Sequence, residues 1–159
     1  MKQDQRILSA KEHWAGRMVT NGVPLSDFLD VTNNVKDWSA WCKIWSIKGD
    51  VHRNLGEDAL ARNRTVSAAE HLKTAAICYH FGRFLFVDFP DEMRIAHKKS
   101  IECYNKALPL LNPPGIRLGV PYEGKTLYGN LRVPQSHFSK PPIVILIVGL
   151  DSTKEEMFT

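Results

Sequence analysis

The chain has 159 residues, 43% apolar and 24% charged, a balance that excludes an intrinsically disordered or fibrous polypeptide. Its net charge of +4 is spread over lysines and arginines mixed with acids, with no basic run or aromatic–basic interleaving, which argues against a nucleic-acid partner. No segment reaches membrane-spanning length and the N-terminus has no continuous apolar core, so the expected setting is cytoplasmic, with no membrane partner.

The first 111 residues read as entirely helical. Ile7, Leu8, Trp14 and Met18 give an irregular apolar face that ends at Asn21-Gly22, a helix C-terminal signal. Pro24 then opens a short helix through Phe28 and Leu29. Trp38, Trp41, Cys42, Trp45, His52, Leu55 and Ala59 follow at spacings of three and four, one stripe of a longer helix. Three tryptophans within eight residues demand a partner surface, either the core or a second subunit, or else form a ligand-facing aromatic wall.

Ser67 and Glu70 have the spacing of a capping box, predicting a helix to about Val87. Its C-terminal half is apolar on nearly every side, so Tyr79, His80 and Arg83 must find partners inside an apolar setting. A further helix starts near Pro90, with Met93, Ala96, Ser100, Ile101, Tyr104, Ala107 and Leu108 on one face. Cys42, Cys78 and Cys103 are far apart within these helical patterns and read as buried, reduced thiols.

Pro113-Pro114-Gly115 opposes helix continuation and divides a helical domain, residues 1–111, from a second region, 112–159. Ile116 to Val120 and Lys125 to Val133 read as a hairpin turning through Pro121–Gly124. Residues 134–142 form a polar loop. Ile143 to Val148 then run without polar alternation, the pattern of a strand covered on both faces. Gly149 breaks the run, and Ser152, Thr153, Glu155 and Glu156 suit the start of a helix. That is the opening of a βα unit in a mostly parallel sheet. Such a strand needs neighbours on both sides, so these residues are expected to be the front part of a larger protein.

Among chemistry-bearing patterns, Gly-x-Ser-x-Gly, a phosphate-binding glycine loop, His-Glu-x-x-His and Cys-x-x-Cys are all missing, and no metal or cofactor is expected. The histidines at 13, 52, 71, 80, 97 and 137 are dispersed; His80, buried beside Tyr79, is the one suited to orienting a polar ligand. Ligand sites in open α/β sheets lie beyond the carboxyl ends of strands, which singles out Gly149-Leu150-Asp151, although Asp151 can equally serve only the helix start.

Gly16-Arg-Met-Val-Thr-Asn-Gly-Val23, Trp38-x-x-Trp41-Cys-x-x-Trp45, Glu70-His-Leu, Tyr79-His-Phe-Gly-Arg-Phe-Leu-Phe86, Ala96-His-Lys-Lys and Gly149-Leu-Asp-Ser-Thr-Lys-Glu-Glu156 together resemble the N-terminal part of the 2,6-dihydroxypseudooxynicotine hydrolase group. The resemblance spans nearly the whole chain. It implies an α/β-hydrolase with an all-helical cap followed by the first strands of a mostly parallel sheet. It also implies serine chemistry on a small-molecule carbonyl substrate, often at a carbon–carbon bond beside a ketone, and a possible homodimer. The loop after the third strand of this fold supplies an oxyanion-hole N–H, which maps to Leu150 with Asp151 beside it. The family pattern carries glutamate where this chain has Asp151, a departure that bears on the substrate. Tyr79, His80 and Phe84 would shape the pocket, and the catalytic serine, acid and histidine would follow residue 159.

Two other readings compete. Tandem helices ending in Tyr104-Asn-Lys-Ala-Leu-Pro suggest a helical-repeat interaction module, yet Tyr79 and Tyr104 are 25 apart where such a repeat needs about 34. A chain carrying a hydrolase front end without its catalytic half would instead need a partner chain to cover the strand.

Overall fold

The structure, a computed structural model, describes residues 4–133, 141–149 and 152–157. Five helices come first: α1 (Gln5–Thr20), α2 (Leu25–Asn34), α3 (Trp41–Ala61), α4 (Thr65–Arg83) and α5 (Pro90–Ala107). Single 3-10 turns, Trp38–Ala40 and Leu108–Leu110, lead into α3 and out of α5. A hairpin of β1 (Gly115–Tyr122) and β2 (Lys125–Arg132) follows.

Local chemistry accounts for most of the boundaries. The Asp4 carboxylate accepts from the Arg6 N–H at 2.9 Å and caps α1, and Gly22 at φ +97° turns the chain away after it. Pro90 occupies the first turn of α5, where its missing N–H costs nothing, and Asp91 and Glu92 complement the positive helix end. In the hairpin, Tyr122 pairs with Lys125, leaving Glu123 and Gly124 as a two-residue turn with both φ positive.

The buried α4 organises the helical layer, packed between α3 and α5. Gly49, Gly56 and Gly82 permit the close approach of α3 to α4: a Cβ would lie 2.6 Å from the Tyr79 ring, 2.8 Å from Leu72 Cγ and 2.9 Å from Trp45 Cβ, respectively. The Trp41 indole N–H donates to the Phe81 carbonyl at 2.9 Å, and the Ser100 hydroxyl donates to the Ala76 carbonyl at 2.8 Å, tying α3 and α5 to the same helix. Trp38, Trp41 and Trp45 are all buried, Trp38 stacked on Trp41 at 5.2 Å between ring centres. The tryptophan face is therefore used up inside the chain's own core and lends no support to a subunit contact.

Several expected boundaries shift. The Ser67–Glu70 capping box is not used: α4 begins at Thr65, and the Arg64 carbonyl already accepts from the Ala68 N–H at 2.9 Å, so Ser67 lies within the first turns. The helix ends at Arg83 rather than Val87, because the chain turns at Phe84 and at Leu85, φ +59°, to send Phe84 and Phe86 into the core. On α3 the buried stripe passes through Gly49 and Gly56, while Leu55 is 45% exposed. Cys42, Cys78 and Cys103 are free, buried thiols, as their helical setting predicts.

The largest correction concerns 143–148. No ladder forms there among the described residues, whose only sheet is the antiparallel β1–β2 pair, and Ile143, Val144, Ile145, Leu146 and Ile147 are exposed, Ile147 to 87%. An apolar run becomes a covered strand only when flanking strands supply both its hydrogen bonds and its cover. The segment after Gly149 forms a single turn at 154–156 rather than a described helix.

Gly49→Ala should destabilise the helical layer by about 1–3 kcal/mol, since the Tyr79 ring is fully buried and has nowhere to retreat. A urea titration followed by tryptophan fluorescence measures this, with Gly16→Ala, where an added Cβ meets nothing within 4 Å, as the reference.

Candidate functional site

Successive residues of a helix point about 100° apart, so neighbouring polar groups on α4 meet different partners. The Tyr79 hydroxyl donates to Asp50 Oδ1 at 2.6 Å, and the same carboxylate accepts from Lys99 Nζ at 3.0 Å. Burial, and then the bond to Asp50, push the Tyr79 phenol well above its ordinary range. Tyr79 thus faces α3 and α5. His80 and Phe84, one turn apart, face α1 and the segment 152–157.

On that side the carboxylate of Glu156, only 1% exposed, is inserted against α1 and α4. Arg17 grips it with both arms of its fork, Nε to Oε1 at 2.9 Å and Nη2 to Oε2 at 3.0 Å. Asn21 Nδ2 donates to Oε1 at 2.6 Å, and Arg17 Nη2 also reaches the Ser152 hydroxyl at 2.8 Å. Arg17 and Asn21 are four apart at the C-terminal end of α1, hence on one face. The Arg17 guanidinium lies 4.7 Å over the Phe84 ring and 5.5 Å over Trp14, an aromatic seat that fixes its plane.

His80 completes the cluster from below. Arg83 Nη2 lies 3.2 Å from His80 Nδ1 and Thr153 Oγ1 lies 3.4 Å from it. Because a guanidinium only donates, Nδ1 is the acceptor and the ring proton sits on Nε2. His80 Nε2 is 3.1 Å from Glu156 Oε2, within ion-pair distance but off the line of a good hydrogen bond. Burial lowers the His80 pKa against the opposing pull of Glu156, favouring the neutral ring. Burial alone would raise the Glu156 carboxyl; contacts from His80 and Arg17 outweigh it and hold the group lowered to about 2. Glu155, also buried, is paired with Lys154 Nζ at 2.5 Å, and the charges of both glutamates act on the half-buried Arg83.

The structure thus brings His80 and Phe84 together with Ser152, Thr153 and Glu156, and leaves Tyr79 on another face of α4. Leu150 and Asp151 lie outside the described residues; Gly149 and Ser152 on either side are joined by a hydrogen bond from the Ser152 N–H to the Gly149 carbonyl at 3.4 Å. Sequence reasoning singled out neither Arg17, Asn21 nor Glu156. The available clue was an arginine and an asparagine four apart at a helix end, matched by a distant Glu-Glu pair.

Other groups offer less. His52 Nε2 is 2.6 Å from Asp27 Oδ2 and its Nδ1 is 3.3 Å from His71 Nδ1, but no group of three His, Cys, Asp or Glu among the described residues could hold a metal. Burial raises the thiols of Cys42 and Cys103 to about 11, which makes them poor nucleophiles. A cavity of about 360 Å³ opens at the far end of α4, lined by Val66, Glu70, Lys73, Leu110 and Arg132 among others, and shares no residue with the cluster. No helix among the described residues is long and apolar enough to cross a membrane.

His80 and Glu156 both have pKa values below their ordinary ones, so both contribute stability at neutral pH that acid removes. The His80 contribution is complete above its ordinary 6.5 and is lost as pH falls through the lowered value; the Glu156 contribution is complete above 4.5 and is lost toward about 2. The urea midpoint should therefore fall below about pH 7, and it should fall again above about pH 9, where the raised thiols of Cys42 and Cys103 stay protonated in the fold while the unfolded chain loses those protons. Glu156→Gln should flatten the part of the curve below about pH 4.5, as a fluorescence-monitored titration at stepped pH would measure.

No family model matches the chain. The 2,6-dihydropseudooxynicotine hydrolase of Paenarthrobacter nicotinovorans is 32% identical over 143 residues, which cover 90% of this chain and 38% of that protein. Hydrolyase poxO of Penicillium oxalicum is 29% identical over 162 residues, 96% of this chain and 36% of the relative. The α/β-hydrolase xenA of Xenoacremonium sinensis is 26% identical over 156 residues, 90% and 35%. The crystal structure of 2,6-dihydroxy-pseudo-oxynicotine hydrolase matches with a TM-score of 0.81 at 31% identity, covering 92% of this chain and 40% of that one. The chain spans less than half the length of each of these relatives. Over the stretch it spans, it belongs to the α/β-hydrolase family of 2,6-dihydroxypseudooxynicotine hydrolase, as a helical portion followed by the first strands of that fold.

Proposed function

We propose that the full-length protein is a serine hydrolase that cleaves a carbon–carbon bond beside a ketone, or an ester, in a small aromatic or polyketide-like substrate. The observation that supports this most directly is the seating of residues 152–157 on α1 and α4 through Glu156, Ser152 and Thr153. In an α/β-hydrolase the loop after the third strand provides an oxyanion-hole donor, and here that donor is the Leu150 N–H.

A serine downstream of residue 159, relieved of its proton by a histidine, attacks the carbonyl carbon held between core and helical cap. The Leu150 N–H and a second donor after the serine hold the tetrahedral oxyanion; losing one such donor typically costs about 100- to 1000-fold in rate. Collapse breaks the bond to the leaving carbon, which departs as a stabilised carbanion and takes up the histidine's proton. Water then releases the acid from the acyl-enzyme. An acidic aromatic or β-diketone stabilises such a carbanion, while an ester leaves more easily. His80 and Phe84, on the face of α4 that meets this segment, form part of the substrate-side wall; Tyr79, tied to Asp50, acts on the pocket only through α4. The substrate is a small carbonyl compound, and the reading needs no cofactor, nucleic acid or membrane.

The test treats the full-length protein with a fluorophosphonate probe and with matched aryl ketone, β-diketone and ester substrates. The expected outcome is one labelled serine beyond residue 159, acid released from at least one substrate class, and no labelling of the 159-residue chain alone. An unlabelled full-length protein that hydrolyses none of them would end the proposal.

A further inference from the structure

The Glu156 cluster has a cost that packing alone does not explain. Burying a carboxylate is expensive unless its partners are well placed, and an apolar residue of similar volume often serves stability as well or better. Yet Glu156 is buried against three residues of the helical layer, Arg17 and Asn21 at the end of α1 and His80 on α4, and Arg17 also donates to the Ser152 hydroxyl of the same segment. What such a pair supplies that an apolar contact does not is direction. The bidentate Arg17–Glu156 fork fixes both distance and plane, and the Trp14 and Phe84 rings fix Arg17 in turn. The fork lies only seven residues after Gly149 and four after Ser152, whose N–H donates to the Gly149 carbonyl at 3.4 Å.

We propose that Glu156 is a positioning residue: clamped by Arg17 and Asn21 and backed by His80, it sets the placement of Ser152 and, through the Ser152-to-Gly149 hydrogen bond, of Gly149 relative to the helical layer, and so of the two residues that flank the proposed oxyanion donor. This rests on the hydrolase reading above. Glu156 itself does not touch the reacting atoms; it acts through the main chain that precedes it. A misplacement of about 1 Å at a reacting centre can cost on the order of 100-fold in rate.

The experiment uses the full-length enzyme with Glu156→Gln, which keeps the shape and removes the charge, Arg17→Lys, which keeps the charge and loses the fork, and Glu70→Gln as a control. Glu70 is exposed nearer the other end of α4, where it pairs with Lys73 at 3.0 Å. Circular dichroism and the thermal midpoint report folding, steady-state kinetics separate kcat from KM, and the rate of fluorophosphonate labelling reports the oxyanion site without substrate. Glu156→Gln should lower kcat and the labelling rate by about 10- to 100-fold with KM changed less than about threefold; Arg17→Lys should fall in between, and Glu70→Gln should stay within about twofold. Unchanged kcat in both cluster variants, a change confined to KM, or losses that merely track the unfolded fraction would each overturn the positioning role. A wild-type enzyme inert toward probe and substrates would overturn the hydrolase reading, and the positioning role with it, whereas a reactive wild type with insensitive variants would overturn the positioning role alone.

Discussion

The burial of α4 on nearly every side is the constraint from which the rest of the helical layer follows. A helix surrounded by neighbours cannot send its polar side chains to water, so each must meet a partner or remain unsatisfied inside. Tyr79 finds Asp50 and Lys99 between α3 and α5; His80 finds Arg83, Thr153 and Glu156. The glycines at 49, 56 and 82 are the other side of the same constraint, because a helix approached this closely leaves no room for Cβ atoms at the contact points. The polar residues that set α4 apart from a plain core helix are thereby sorted by face, one side serving the helical layer and the other receiving the segment that follows Gly149.

That sorting links the helical layer to the chemistry expected of the fold. Anchoring 152–157 through an apolar contact would give affinity with little directional control, since packing tolerates sliding. A carboxylate held in a guanidinium fork gives both, provided the fork itself is immobilised. Here the two aromatic rings beneath Arg17 and the bond from Asn21 supply that rigidity. The neutral tautomer of His80, with its proton on Nε2, suits the same arrangement: a charged imidazole would add a buried cation beside the half-buried Arg17 and Arg83.

Much of the helical layer was legible in the sequence because periodicity reports burial directly: the tryptophan stripe, the all-round apolar half of α4, the Pro90 start and the hairpin with its Gly124 turn are where the pattern puts them. What was not legible depended on tertiary contacts. Ser67 has the spacing of a cap, but the backbone from Arg64 onward already satisfies the helical bonds. Leu55 fits the stripe by identity, yet Gly56 is the residue that meets α4, since the closeness of two helices is a property of the pair and not of either sequence. For the candidate site, His80 and Phe84 could be chosen as polar or aromatic groups in an apolar helix. Glu156 could not, because the residues that clamp it, Arg17 and Asn21, lie more than 130 residues away and surface carboxylates far outnumber buried ones.

The exposed run 143–147 takes its meaning from what lies on either side of it. Upstream, the hairpin is tied to α5 by Arg117, whose guanidinium donates to Asn105 Oδ1 at 2.9 Å, and by Leu108 packed against Gly115, while Arg132 donates to the connecting carbonyls of Pro113 and Asn112. Downstream, the Glu156 cluster returns the chain to α1 and α4. Both flanks are thus held on the helical layer while five consecutive large apolar side chains between them have no cover among the described residues. A contiguous apolar surface of this kind is stable only against a partner, and unpaired backbone beside it calls for neighbouring strands rather than a helix face. In the α/β-hydrolase fold to which the chain belongs, that partner is the parallel sheet. The helical layer therefore fixes where the exposed run leaves and rejoins it, which makes the accuracy of those two anchors a condition for any surface that covers the run.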